Sequence, residues 1–165
     1  MYPIIIPFDT NNLGRVEFVA DVITGDRKTL GPVEFKLDSG SDFTTISCDD
    51  LEALGYKLDY LKACPHHKMR ASTASDELSL PLQYIINVSI KFEDRELQGC
   101  RIFFALNTKL RSLFGSDILK YFNWEVNYDQ GELRLTEMLN KPLLSEGETP
   151  IHIYSLEEDM LNDAG

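Results

Sequence analysis

Lysine and arginine are in short supply: 16 of them stand against 27 Asp and Glu in 165 residues, for a net charge of -11. A surface of that sign repels phosphate backbones and anionic bilayers, which argues against a nucleic-acid or membrane partner. Cysteine is sparse too, and Cys48, Cys64 and Cys100 are odd in number and scattered. A disulfide-stapled secreted domain needs paired cysteines, so this pattern points to a reducing cytoplasm. Long apolar runs are missing; residues 1–7 are too short and too proline-bounded for a membrane span or a signal peptide. Asn87-Val88-Ser89 fits a glycosylation triplet, which in a cytosolic chain is chance. Cys64, His66 and His67 lack a further ligand at suitable spacing, so neither a metal nor any other cofactor is expected.

What is present suffices for one domain with a sizeable core, since aliphatic and aromatic content is that of a globular protein. The chain is organised around Val33-Glu34-Phe35-Lys36-Leu37-Asp38-Ser39-Gly40-Ser41-Asp42. Val33, Phe35 and Leu37 alternate with Glu34, Lys36 and Asp38, the period of a half-buried strand. Asp38 therefore emerges at the strand's end, where Ser39-Gly40 makes the backbone turn. Neighbouring hydroxyls can orient its carboxylate.

Before that stretch, Val16, Phe18, Ala20 and Val22 mark a strand that pairs with it as a hairpin over residues 15–38. After it, Phe43 to Ser47 is an extended, β-branched segment. Ser47 and Asp50 mark a helix start, with Leu51 and Leu54 on its apolar face and Gly55 at its end. Residues 56–67 read as irregular. Residues 68–90 read as a long hairpin with a polar tip, in which Pro81 signals an edge or a bulge. Leu97–Phe104 is a further strand. Leu113-Phe114-Gly115-Ser116-Asp117-Ile118-Leu119 forms a second anchor, repeating the Gly-Ser-Asp of positions 40–42. A short helix through Tyr121 follows, then a hairpin turning at Asp129-Gln130-Gly131. Beyond Pro142 the chain is acidic, with a terminal strand near 151–154 and a solvated tail over 156–165.

Asp38-Ser39-Gly40-Ser41-Asp42 and the later Leu113-Phe114-Gly115-x-Asp117 resemble, in order and spacing, the signatures of retropepsin-like aspartic proteases over residues 15–137. The resemblance implies an all-β fold with one or two short helices, a closed barrel of acid-protease type carrying a flap hairpin. On this reading residues 1–14 are an N-terminal extension, 15–140 the protease domain and 141–165 an acidic C-terminal extension. It implies that Asp38 is the catalytic aspartate and that the Ser39 hydroxyl braces the active-site loops across a dimer axis. Gly40 would bind substrate backbone through its carbonyl and Asp42 through its carboxylate. Thr73, Ala74, Ser75 and Asp76 would form the flap tip over a bound peptide. The chain departs from the family at four places: the flap tip lacks glycine, Ser116 stands where viral enzymes have arginine, Ser39 replaces the commoner threonine, and the C-terminal region extends beyond the core, with 151–154 one candidate for the usual dimer-closing terminal strand.

Hydrolysis of this kind needs two carboxylates about one water. The chain supplies one Asp-Ser-Gly, and Phe114 occupies the place of a second acid. A homodimer acting on a protein or peptide substrate is therefore expected. Two other readings stand beside it: a non-catalytic peptide-binding or dimerising module on the same fold, and an unrelated β-barrel in which Asp38 caps a turn.

Overall fold

The structure is a computed structural model that describes residues 2–11, 14–26, 30–72, 79–92, 94–106 and 110–155. Its strands are β1 (Ile4–Pro7), β2 (Glu17–Ile23), β3 (Leu30–Leu37), β4 (His66–Ser72), β5 (Ser79–Phe92), β6 (Arg95–Phe104), β7 (Leu113–Phe114), β8 (Phe122–Asn127), β9 (Glu132–Glu137) and β10 (His152–Ser155). The helices are short: α1 (Cys48–Ala53), α2 (Leu58–Lys62) and α3 (Ser116–Leu119). The mainly-β class that the resemblance implied is the class observed.

The expected hairpin is β2 against β3, with Phe18 opposite Phe35 and Ala20 opposite Val33. Those side chains are buried, and each buried phenylalanine contributes about 1.5–3 kcal/mol relative to exposure. Phe18, Phe35, Phe92 and Phe114 form one aromatic nest, with the Phe18 and Phe114 centroids 5.4 Å apart edge to face.

The larger sheet runs β10-β6-β5-β2-β3-β7, and its curl is completed by the segment after Asp38. Thr45 bridges Phe103 of β6 on one side and Leu113 of β7 on the other. Four backbone hydrogen bonds hold it: Ile46 N–H to Phe103 O at 2.9 Å, Phe103 N–H to Thr44 O at 2.9 Å, Thr45 N–H to Leu113 O at 2.9 Å and Leu113 N–H to Thr45 O at 3.0 Å. The ring β6-β5-β2-β3-β7 thereby closes on itself as a barrel, which removes its interior edges.

A smaller sheet, β1-β9-β8, lies beside the barrel. Ile4 and Ile6 pair with Leu135 and Leu133, and all four point into the core. The first strand thus ties the N-terminal segment to the fold. β10 pairs with β6 through Ile153 and Leu97, so residues 152–155 form a strand within their own chain.

α1 begins where expected, with Asp50 N–H donating to the Ser47 hydroxyl, and Gly55 follows at φ 99°. Residues 56–67 are not irregular, as the sequence reading had them: they hold α2 and the start of β4. Local signals miss α2 because its C-terminal carbonyls are satisfied from far away. The Gln83 amide donates to the carbonyls of Leu61, Lys62 and Cys64 at 3.0–3.2 Å.

Candidate active site

β3 delivers Asp38 to a corner fixed from two sides. Leu37 N–H donates to Val16 O at 2.9 Å and Asp38 N–H to Phe114 O at 3.0 Å. The second bond follows from the parallel pairing of β3 with β7, which sets Leu37 beside Phe114. Past the corner, Ser41 N–H closes a turn onto Asp38 O at 3.1 Å, and Gly40 N–H donates to Asp38 Oδ1 at 3.1 Å. The half-buried carboxylate is oriented by its own turn and still reaches solvent, while Ser39, Gly40 and Asp42 are exposed.

The two Gly-Ser-Asp segments meet. Ser116 N–H donates to Ser41 O at 2.8 Å, and Gly115 lies so close that an added Cβ would stand 2.5 Å from Phe43 O. Asp117 fastens the junction. Its carboxylate accepts Thr44 N–H at 3.0 Å, the Thr44 hydroxyl at 2.6 Å and Ile118 N–H at 3.0 Å. Gly115 N–H in turn donates to the Thr44 hydroxyl oxygen at 3.1 Å. Burial pushes the Asp117 carboxyl above its ordinary value, outweighing the Thr44 hydrogen bonds that favour its charge. Asp117 therefore positions the turn. The sequence held one trace of it, the Gly-Ser-Asp echo.

A cleft of about 560 Å3 opens beside Asp42, between the active-site turn and the base of the β4–β5 hairpin. Asp42, Phe43, His67, Tyr84 and Arg101 line it, and the segment Ser145–Glu148 forms its rim. Asp38 lies outside this lining, four positions back along the turn. Phe43 lines this cleft, whereas Ile46, three positions on, is a core residue with no exposure. Thr73, Ala74, Ser75, Asp76 and Leu78 fall outside the described residues. Asp42 has no ion-pair partner among the described residues.

The acidic segment after Pro142 is held by a clamp that the sequence reading missed. Lys120 Nζ donates to both Glu148 carboxylate oxygens at 2.7 and 2.8 Å and to Leu143 O at 3.2 Å. Burial raises the Glu148 carboxyl, but Lys120 and Ser145 together outweigh it and hold the group below its ordinary value. Ile151 N–H donates to the Tyr121 hydroxyl at 3.1 Å, continuing the attachment.

Two other features lie elsewhere. Glu17 and Glu34 share a hydrogen bond that raises Glu34 and lowers Glu17, yet Arg111 at 3.1 Å pairs with Glu17. Neither carboxyl lies on the Asp38 turn. A larger hollow of about 720 Å3 between β1 and the β2–β3 hairpin includes none of residues 38–42. Among the described residues no group of three or more His, Cys, Asp or Glu side chains is placed to hold a metal ion. No helix among them is long and apolar enough to cross a membrane.

No protein-family model and no curated protein matches this sequence. In fold the chain is similar to a crystal structure of a retropepsin-like aspartic protease from Rickettsia conorii. The identity is 18%, the alignment covers 81% of this chain and 87% of the other, and the TM-score is 0.49. It is also similar to EIAV protease complexed with the inhibitor HBY-793, at 19% identity over 66% of this chain and 89% of the other, with a TM-score of 0.41.

Proposed function

We propose that this chain is an aspartic endopeptidase of retropepsin type, active as a symmetric homodimer in which two Asp38 carboxylates flank one water. The observation that carries the reading is the corner itself: an oriented, solvent-reaching carboxylate beside a paired strand, Leu113–Phe114, that supplies no acid, its Phe114 being fully buried. One chain holds half a site, so the other carboxylate comes from a second copy across a two-fold axis. Adjacent like charges cannot both ionise, and the pair shares a proton. The ionised Asp38 takes a proton from water as its oxygen attacks the scissile carbonyl. The protonated Asp38 donates a hydrogen bond to the carbonyl oxygen, and proton delivery to the leaving amine completes cleavage.

The peptide lies extended as an added strand, with its backbone received by the Gly40 carbonyl and the Asp42 carboxylate. Ser39 braces the two turns across the axis, and the segment 73–76 covers the substrate. A surface for the second copy is available on the small sheet. The outer edge of β8 is unpaired among the described residues, and Trp124, 40% exposed, extends the apolar face of Ile4 and Leu135 beyond the barrel. Cys48, Cys64 and Cys100 form no disulfide with one another, which supports a reducing, cytoplasmic setting.

The test is an Asp38→Asn chain assayed on a peptide library beside the parent. It should fold, dimerise and bind peptide without cutting; cleavage equal to the parent's overturns the assignment. The glycine-free flap tip favours a second reading, a peptide-binding or dimerising module without catalysis. On that reading the parent and the Asn chain bind alike and neither cuts.

A further inference from the structure

We propose that Arg101 sets the specificity of the cleft beside Asp42 by binding an acidic side chain of the peptide. The inference rests on the endopeptidase reading for its substrate class, and on a separate set of contacts for its site.

Arg101 places its guanidinium over two rings. Its guanidinium carbon is 5.4 Å from the Tyr84 centroid and 4.9 Å from that of Phe103. The rings are themselves fixed: Phe103 packs on Tyr84 at 5.8 Å and on Phe43 at 4.6 Å, and His67 meets Phe43 and Phe103 edge to face, each at 5.2 Å. A guanidinium held over ring faces by cation–π attraction keeps N–H groups that can donate to a further partner. Those groups have no hydrogen-bond or ion-pair partner among the described residues.

The cations nearest to Arg101 in role are already paired. Lys120, which lines the same cleft, is taken by Glu148. Arg95 and Arg111 are held by Asp94 and Glu17. Acidic residues outnumber basic ones by 27 to 16, so a cation left without a carboxylate at a cleft wall is not explained by any lack of acids. Of the four acids lining the cleft, Asp117 is committed to Thr44 and Glu148 to Lys120, and neither Asp42 nor Glu146 makes an ion pair with Arg101. A preoriented planar fork matches a carboxylate through two parallel N–H···O bonds.

The experiment uses peptides with Glu, Gln or Lys at each position flanking an apolar cleavage pair. Cleavage is measured with the parent chain and binding with the Asp38→Asn chain. At one position Glu should exceed Gln by about tenfold in kcat/KM, the scale of a charge-assisted pair. Arg101→Gln should bring that ratio to about one, and Arg101→Glu should turn the preference toward Lys. If Arg101→Gln does not fold, Arg101→Lys carries the test, with a preference reduced to about threefold. A Glu preference that survives in these variants, or none at any position of peptides the parent cleaves, overturns the proposal. If the parent cuts nothing while the Asp38→Asn chain binds Glu peptides tighter through Arg101, the endopeptidase reading falls and the subsite stands.

Discussion

The carboxylate of Asp117 receives both the amide and the hydroxyl of Thr44, at 3.0 and 2.6 Å, across 73 positions of sequence. Thr44 is fully buried and lies on the segment that closes the barrel. Asp117→Ala leaves its donors without an acceptor, at about 1–3 kcal/mol for each buried group unpaired. Denaturant titration should show that loss, and coupling to Thr44→Val in a double-mutant cycle should be at least about 0.5 kcal/mol.

The same residue carries a pH dependence. Burial holds the Asp117 carboxyl above its ordinary 3.8, so the folded state takes up its proton more readily than the unfolded chain. Its contribution to stability is full below that ordinary value and is lost as pH rises through the raised one. Melting curves of the parent should show this component, and those of Asp117→Ala should lack it.

Glu148 works in the opposite sense. The group is lowered from 4.5, so its stabilisation is present above that value and is lost as pH falls through the lowered one. The cleft rim should loosen in acid, read as faster exchange of the Ser145 amide that donates to Glu148 at 2.8 Å. Glu148→Gln should show fast exchange already at neutral pH.

Gly115→Ala and Gly40→Ala should separate fold from site. A Cβ at 115 would stand 2.5 Å from the Phe43 carbonyl oxygen and 2.7 Å from its carbon, both backbone atoms, whereas at 40 it meets only Asp38 Oδ1 at 3.4 Å. The first substitution should cost about 1–3 kcal/mol and the second about 0.5 kcal/mol or less. Thermal unfolding of both chains checks the contrast.

Mixing tests the shared site. With a ninefold excess of Asp38→Asn chains and free subunit exchange, parent activity should fall to about a tenth, because nearly every parent subunit then sits in a mixed dimer. Activity that is insensitive to the added chains would place a complete site within one subunit.

Gln83→Leu should unseat α2. The Lys62 and Cys64 carbonyls would lose the donor its amide supplies, while Leu61 O keeps the Cys64 N–H at 3.2 Å, at about 1–3 kcal/mol overall. Hydrogen exchange localised to residues 58–64 is the measurement.

Local order was written in the sequence. The alternation of Val33, Phe35 and Leu37, the Ser39-Gly40 turn, the Ser47 cap and the Gly131 hairpin each need only neighbours within a few positions, and a period of two or a cap residue records them. The corner that presents Asp38 was legible for that reason. Tertiary structure alone decided the closure at Thr45, the meeting of Ser41 with Ser116, the burial of Asp117, the capping of α2 by Gln83 and the seating of Arg101 on Phe103 and Tyr84. Each depends on groups brought together from separate strands, whose satisfaction or desolvation has no local signature. A sequence pattern tells which side of a strand faces inward, and only the closed barrel determines what each side chain finds there.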